Sequence, residues 1–323
     1  MNTDIRAREG ALLSGRWGEA NEIRSAAMPW FTSANVPETN VRAADVHPLI
    51  HNAASMSDGD GNLQSPTSFE WDAALALRRT PHTAKRRPGP SEADRELCEV
   101  INGRLSPRTI IELDEAQEVV LDQALALLDE TIPSLAADAF EYLHLFVLTD
   151  RTDMIGETWM EYPGLVLFGP AAFATPKVLA ESIFHEALHS KTVWIERGMP
   201  NLKAGESEDD NEDDKPIAIP WRHEKDGSVT HWSAVRTYDA FYVYSHLTVQ
   251  SCAVWERDRL EGDLDQFRRI CFRAAYLSNQ LRNNPDCAGI GAERHQLVSW
   301  LDSIRIQPFD LTEAGQRQLS LVA

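Results

Sequence analysis

Apolar residues return along the chain at two spacings, which divide it into many helices and a few strands. Val119, Val120, Leu121, Ala124, Leu125, Leu127 and Leu128 recur at helical spacing after Asp114, so residues 115–131 are predicted to form an amphipathic helix. Residues 142–149 and 165–170 are short apolar runs and predict two strands. Immediately after the second, Thr175-Pro176 places a capping hydroxyl before a proline at the first helical position, and Gly198 supplies a stop. The helix between them should run about six turns. Val178, Leu179, Ile183, Leu188, Val193 and Trp194 give it so much apolar surface that it is expected to be buried.

The rest of the pattern is mostly helical. One or two amphipathic helices are expected in residues 1–27, where Ile5, Ala11, Leu12, Leu13, Trp17 and Ile23 are the spaced apolar positions. Met28-Pro29-Trp30-Phe31 is an apolar knot, followed to about residue 62 by loops and short helices, with one more helix at 69–77. Pro81 to Pro90, enclosing Lys85-Arg86-Arg87, is an exposed linker. Residues 217–222 lead through a polar turn to a long helix at 232–259, and further helices are expected at 264–281, 293–304 and 312–321. The predicted class is α+β, mainly α: a helical domain with a small sheet packed beside helix 176–198. A helical and irregular segment, 1–90, suited to substrate recognition, would precede a catalytic domain, 91–323.

Charge and composition narrow the partners. The 323 residues are 43% hydrophobic and carry a net charge of −19, which argues against nucleic acid, because phosphate binding needs clustered Lys and Arg. Much of the charge lies within loop 204–215: Glu206, Glu208, Asp209, Asp210, Glu212, Asp213 and Asp214 cannot pack and predict a solvated loop. An acidic lid attracting a basic peptide is the functional alternative. Cys98, Cys252, Cys271 and Cys287 form no Cys-x-x-Cys pair, so neither a thiolate zinc knuckle nor a redox motif is expected. No window approaches a membrane span, and Met1 to Arg6 lacks the plan of a secretory signal; a soluble, cytoplasmic protein without membrane partners is expected.

Chemistry concentrates in helix 176–198, where His185-Glu186-Ala187-Leu188-His189 spells His-Glu-x-x-His. Residues four apart share a helix face, so two imidazoles can meet one metal ion while Glu186 stands beside them as a proton carrier. Two standard zinc-peptidase completions fail. The metzincin pattern needs Gly and His where Thr192 and Ile195 stand, and the gluzincin pattern needs a glutamate on a following helix, where Glu256 lies too near the far end.

The pentad, then Pro220-Trp221-Arg222, then the run from Ser233 to Val243 with Tyr238, Phe241 and Tyr242, resembles the HExxH proteins of peptide natural-product (RiPP) biosynthesis. The upstream order of helix, strand, strand, metal helix is similar too, so the likeness covers about residues 110–260. It implies an iron(II)- and 2-oxoglutarate-dependent dioxygenase that hydroxylates a side-chain β-carbon in a ribosomal precursor peptide or carrier-presented substrate. Where that family has Arg-Pro and then Gly and His or Gln at the helix start, this chain has Val229-Thr230, Ser233 and Arg236. The third metal ligand is therefore assigned to His231 as the nearest histidine, with His246 and Asp239, seven apart and on one face, as alternatives. Two histidines and a third ligand leave room on iron for a bidentate 2-oxoacid and dioxygen. Arg222 or Arg236 would hold the distal carboxylate.

Two other readings stay open. In a zinc hydrolase, Glu186 would act as general base and Tyr238 or His231 would steady the oxyanion. In a non-catalytic peptide-binding protein, the metal would only brace the fold.

Overall fold

The computed structural model describes residues 5–32, 110–111, 113–143, 145–152, 154–159, 162–198, 217–224, 226–284, 287 and 291–307. The expected loops of 33–62, the helix at 69–77, the linker, the acidic loop, the helix at 312–321 and the domain boundary at residue 90 lie outside these. The chain divides into two compact units, Leu13–Gly198 on one side and Met1–Leu12 with Met199–Ala323 on the other.

In the first unit a two-residue strand β1 (Ile110–Ile111) leads to helix α3 (Glu115–Thr131). Asp114 begins that helix with a reciprocal capping box: its carboxylate accepts from the Gln117 N–H at 2.8 Å, and the Gln117 side chain accepts from the Asp114 N–H at 3.0 Å. Helix α4 (Pro133–Phe140) follows at once, with proline in its first turn where no N–H is needed. Strands β2 (Leu145–Thr149), β3 (Gly156–Thr158) and β4 (Leu165–Phe168) then complete a sheet of order β1-β2-β4-β3. β2 and β4 are parallel, pairing Leu145 with Leu165 through Leu148 with Phe168, while β1 and β3 are antiparallel to their neighbours. All four β4 residues are buried, as a strand covered on both faces requires.

A 3-10 turn (Pro170–Ala174) hands the chain to α5 (Pro176–Gly198), which begins where the Thr175 hydroxyl accepts from the Val178 N–H at 3.2 Å. α5 packs against α2 (Ala20–Thr32), α3, α4, β3 and β4. It is buried along most of its length, because the unit is built around it. Gly198 ends it for a packing reason as well: a Cβ there would lie 2.9 Å from the Ala26 Cβ on α2.

The second unit holds α1 (Ile5–Leu12), a hairpin of β5 (Ile217–His223) and β6 (Val229–Trp232), and helices α6 (Ala234–Asp258), α7 (Glu261–Asn283) and α8 (Gly291–Ile304). The hairpin turns at Gly227, whose φ of 86° suits a residue without a Cβ. Ser233 starts α6 by accepting from the Arg236 N–H at 3.2 Å, which places Trp232 in the strand rather than at the helix start. α6 is the core of this unit, packed by α1, α7 and α8. The Tyr276 hydroxyl on α7 donates to the Ala218 carbonyl at 2.6 Å and ties the hairpin down. The fold is α+β, mainly α, with a small sheet beside α5. Among the described residues no helix is long and apolar enough to cross a membrane.

Candidate metal centre

His185 and His189 stand one helical turn apart on α5, each half-buried, while Glu186 beside them is buried. Their rings lie edge-on, with centroids 4.9 Å apart, and the two Nε2 atoms are 3.2 Å apart. Two nitrogens each about 2.1 Å from one metal stand about 3.0 Å apart at a right angle and about 3.4 Å apart at a tetrahedral angle. The observed separation falls between these, so the donor pair fits one metal of either geometry. The same separation lets one neutral imidazole donate its Nε2–H to the other, which satisfies the pair in the absence of a metal. Among the described residues no group of three or more His, Cys, Asp and Glu side chains converges on one point.

Glu186 is held from the sheet. The Thr158 hydroxyl lies 2.8 Å from Glu186 Oε2 and 3.1 Å from the Glu186 carbonyl oxygen. Gly156, two residues earlier on β3, comes so close that a Cβ there would lie 2.8 Å from Glu186 Oε1. Side chains alternate along a strand, so Gly156 and Thr158 face α5 together while Glu157 faces away. Glu157 accordingly accepts from the Trp159 indole at 2.9 Å and the Arg151 guanidinium at 3.3 Å. Sequence pattern does not reveal these β3 residues, because the three residues Gly156-Glu157-Thr158 are too few for a period-2 signal. The signal that could have found them is a glycine followed by a β-branched residue at i+2, between two apolar strands.

Further polar groups anchor α5. Ser190 accepts from the Gly164 N–H at 3.1 Å. Lys191 is fully buried, with Nζ 2.6 Å from Asp138 Oδ2 on α4 and 3.0 Å from the Gly18 carbonyl oxygen. Burial raises the Asp138 carboxyl above the ordinary aspartate range, partly offset by Lys191. Burial and then the Asp138 charge push the neighbouring Tyr142 hydroxyl well above the usual tyrosine value.

The other sequence-selected residues belong to the second unit. His231 is exposed on β6, with Nδ1 2.9 Å from the Val229 carbonyl oxygen. Asp239 and His246 are buried on α6; the His246 Nδ1 lies 2.9 Å from the Tyr242 carbonyl oxygen, and its ring packs on Tyr242 with centroids 4.4 Å apart. Tyr238 is buried beneath the Arg294 guanidinium, 5.4 Å from its ring centre. Arg222 and Arg236, both exposed, converge on the indole of Trp232, with guanidinium carbons 5.5 and 5.2 Å from its centre. Glu256 sits in the last turns of α6. Compared with known proteins, the chain matches no family model and no curated protein.

Proposed function

We propose that the chain is a metal-dependent, peptide-modifying enzyme that uses iron(II) and 2-oxoglutarate to hydroxylate a side-chain β-carbon of a peptide or carrier-presented substrate. The observation that carries the metal part is the pair of imidazoles on a buried helix with Nε2 atoms 3.2 Å apart. The oxygenase part rests on the sequence resemblance. In support of it stand α3, β2, β4, α5, the Pro220-Trp221-Arg222 strand and α6, which follow one another as the resemblance expects, with α4 and β3 as additional elements among them. Iron(II), 2-oxoglutarate and dioxygen together would supply the oxidation: one atom of dioxygen enters a C–H bond and the other enters succinate as 2-oxoglutarate loses CO2.

The chain's own groups would do the rest. His185 and His189 donate two nitrogens. From the sequence come a third ligand, His231 with His246 and Asp239 as alternatives, and a guanidinium for the distal carboxylate in Arg222 or Arg236. The Trp232 face beneath both guanidinium groups would restrict their planes by cation–π contact.

A zinc hydrolase is the second reading, favoured by one observation: Glu186 is buried beside the histidines and held by Thr158. There Glu186 would take a proton from the attacking water and return it to the leaving amine.

The purified full-length chain, loaded with iron(II) and given 2-oxoglutarate, ascorbate and oxygen, should release succinate, and H185A and H189A should abolish it. Absence of succinate together with retained zinc and peptide cleavage would replace the first reading by the second.

A further inference from the structure

The geometry points to Thr158 and Gly156 as positioning residues that fix the carboxylate of Glu186. The inference rests on the reading that His185 and His189 hold a metal and that Glu186 works beside it. A glutamate at the surface of a helix has three rotatable torsions, so burial alone does not select one carboxylate position. Two contacts from β3 do. The Thr158 hydroxyl has one proton to give, and the shorter contact, 2.8 Å to Oε2, takes it in preference to the Glu186 carbonyl oxygen, a competing acceptor at 3.1 Å. Thr158 is β-branched and sits in a strand, so its χ1 is stiff and the donor does not wander. Gly156 clears the space that the other carboxylate oxygen occupies, since a Cβ would stand 2.8 Å from Oε1, 3.0 Å from Cγ and 3.2 Å from Cδ of Glu186.

The pairing of β3 with β4 locks both residues in register, with Gly156 opposite Phe168 and Thr158 opposite Val166. β4 is buried throughout, so the cradle is as rigid as the sheet. A carboxylate that only filled a helix face would need neither a missing side chain nor a hydroxyl from a different element.

Both residues can be altered without attacking the core. Gly156 does not have a positive φ, and the atoms an alanine would meet are the far end of a flexible side chain, so Gly156→Ala should move the carboxylate rather than break the sheet. Thr158→Val removes the donor at constant shape, and Thr158→Ser keeps it.

Cobalt(II) in place of the native metal, added to the full-length chain, provides a readout independent of turnover. Wild type should bind one equivalent, and H185A and H189A should lose it. E186Q should change the visible absorption of bound cobalt; Thr158→Val and Gly156→Ala should reproduce that change, while Thr158→Ser keeps the wild-type spectrum. In whichever reaction the wild type performs, Thr158→Val and Gly156→Ala should lower kcat by about 100-fold, as a misplacement of about 1 Å does, with KM unchanged. Wild-type spectra and kcat in both variants would overturn the inference while leaving the metal reading standing. An E186Q spectrum identical to wild type would overturn it as well. Failure of the wild type to bind cobalt would remove the metal reading and this inference with it.

Discussion

Lys191 carries its ammonium into the interior two residues beyond His189, where Asp138 and the Gly18 carbonyl meet it and the ring of Tyr142 lies 5.5 Å from Nζ. Lysine is among the residues least often buried, and although Ala187, Leu188, Trp194 and Ile195 stand three and four residues to either side of it, nothing local in sequence supplies the partner that its charge needs. The pair joins α4, α5 and the segment at Gly18, so it helps fix the helix that bears the histidines. Replacing one member of a buried pair leaves the other charge in low dielectric, and Lys191→Met should cost about 3–5 kcal/mol in urea unfolding. The double variant K191M/D138L should recover most of that loss, since neither charge then remains. A single-variant cost below about 1 kcal/mol, the range of exposed pairs, would show that the pair is effectively solvated.

At the scale of elements, α7 and α8 are pinned by Asp302. Its Oδ2 accepts from the Ser278 hydroxyl at 2.6 Å and Arg282 at 2.9 Å, and its Oδ1 from Arg305 at 2.8 Å. Burial alone would raise this carboxyl, but the hydrogen bonds from Ser278, Arg305 and Arg282 together outweigh it and hold the group below the ordinary aspartate value. A carboxyl depressed in the folded state contributes stability that is present above the ordinary value and lost as pH falls through the folded one. The stability advantage of wild type over D302N should therefore be complete at pH 6 and shrink below about pH 4. Denaturant titrations of both proteins from pH 7 to pH 3 check this, and an advantage that is constant over the range would refute it.

The elements also divide by how visible they were in the sequence. α3, α5, α6, α7 and α8 are long and periodic, and their start signals at Asp114 and Thr175-Pro176 sit where the caps form. α4, β3 and β6 are short, and each exists because a longer neighbour pairs or packs with it. Propensity in eight or fewer residues does not outweigh that context.

Over the whole molecule, the N-terminal helix belongs with the C-terminal half. Leu12 and Glu9 of α1 are buried, and the Arg8 guanidinium donates to the carbonyl oxygens of Ser303, Ile304 and Arg305, which the end of α8 leaves without helical partners. Deleting residues 1–12 should destabilise that unit by about 2 kcal/mol or more from the exposure of Leu12's site and the lost cap. Amide exchange in the last turn of α8 and in α6 reports it directly; unchanged protection there would contradict the assignment of α1.

The meeting of the two imidazoles was legible in the sequence, because His185 and His189 lie four apart on one helix and 3.6-residue geometry alone brings their rings together. The sequence by itself also determined that this helix is buried, since its apolar residues surround it on too many sides for a surface helix. What holds Glu186 was decided by tertiary structure alone: Gly156 and Thr158 reach it across 30 and 28 residues of chain, through a strand register that no local pattern encodes. The same reason hid Lys191, whose partners lie 53 and 173 residues away. Helical periodicity is a property of neighbours in sequence, whereas the placing of a carboxylate or a buried charge depends on contacts that exist only after the chain has closed on itself.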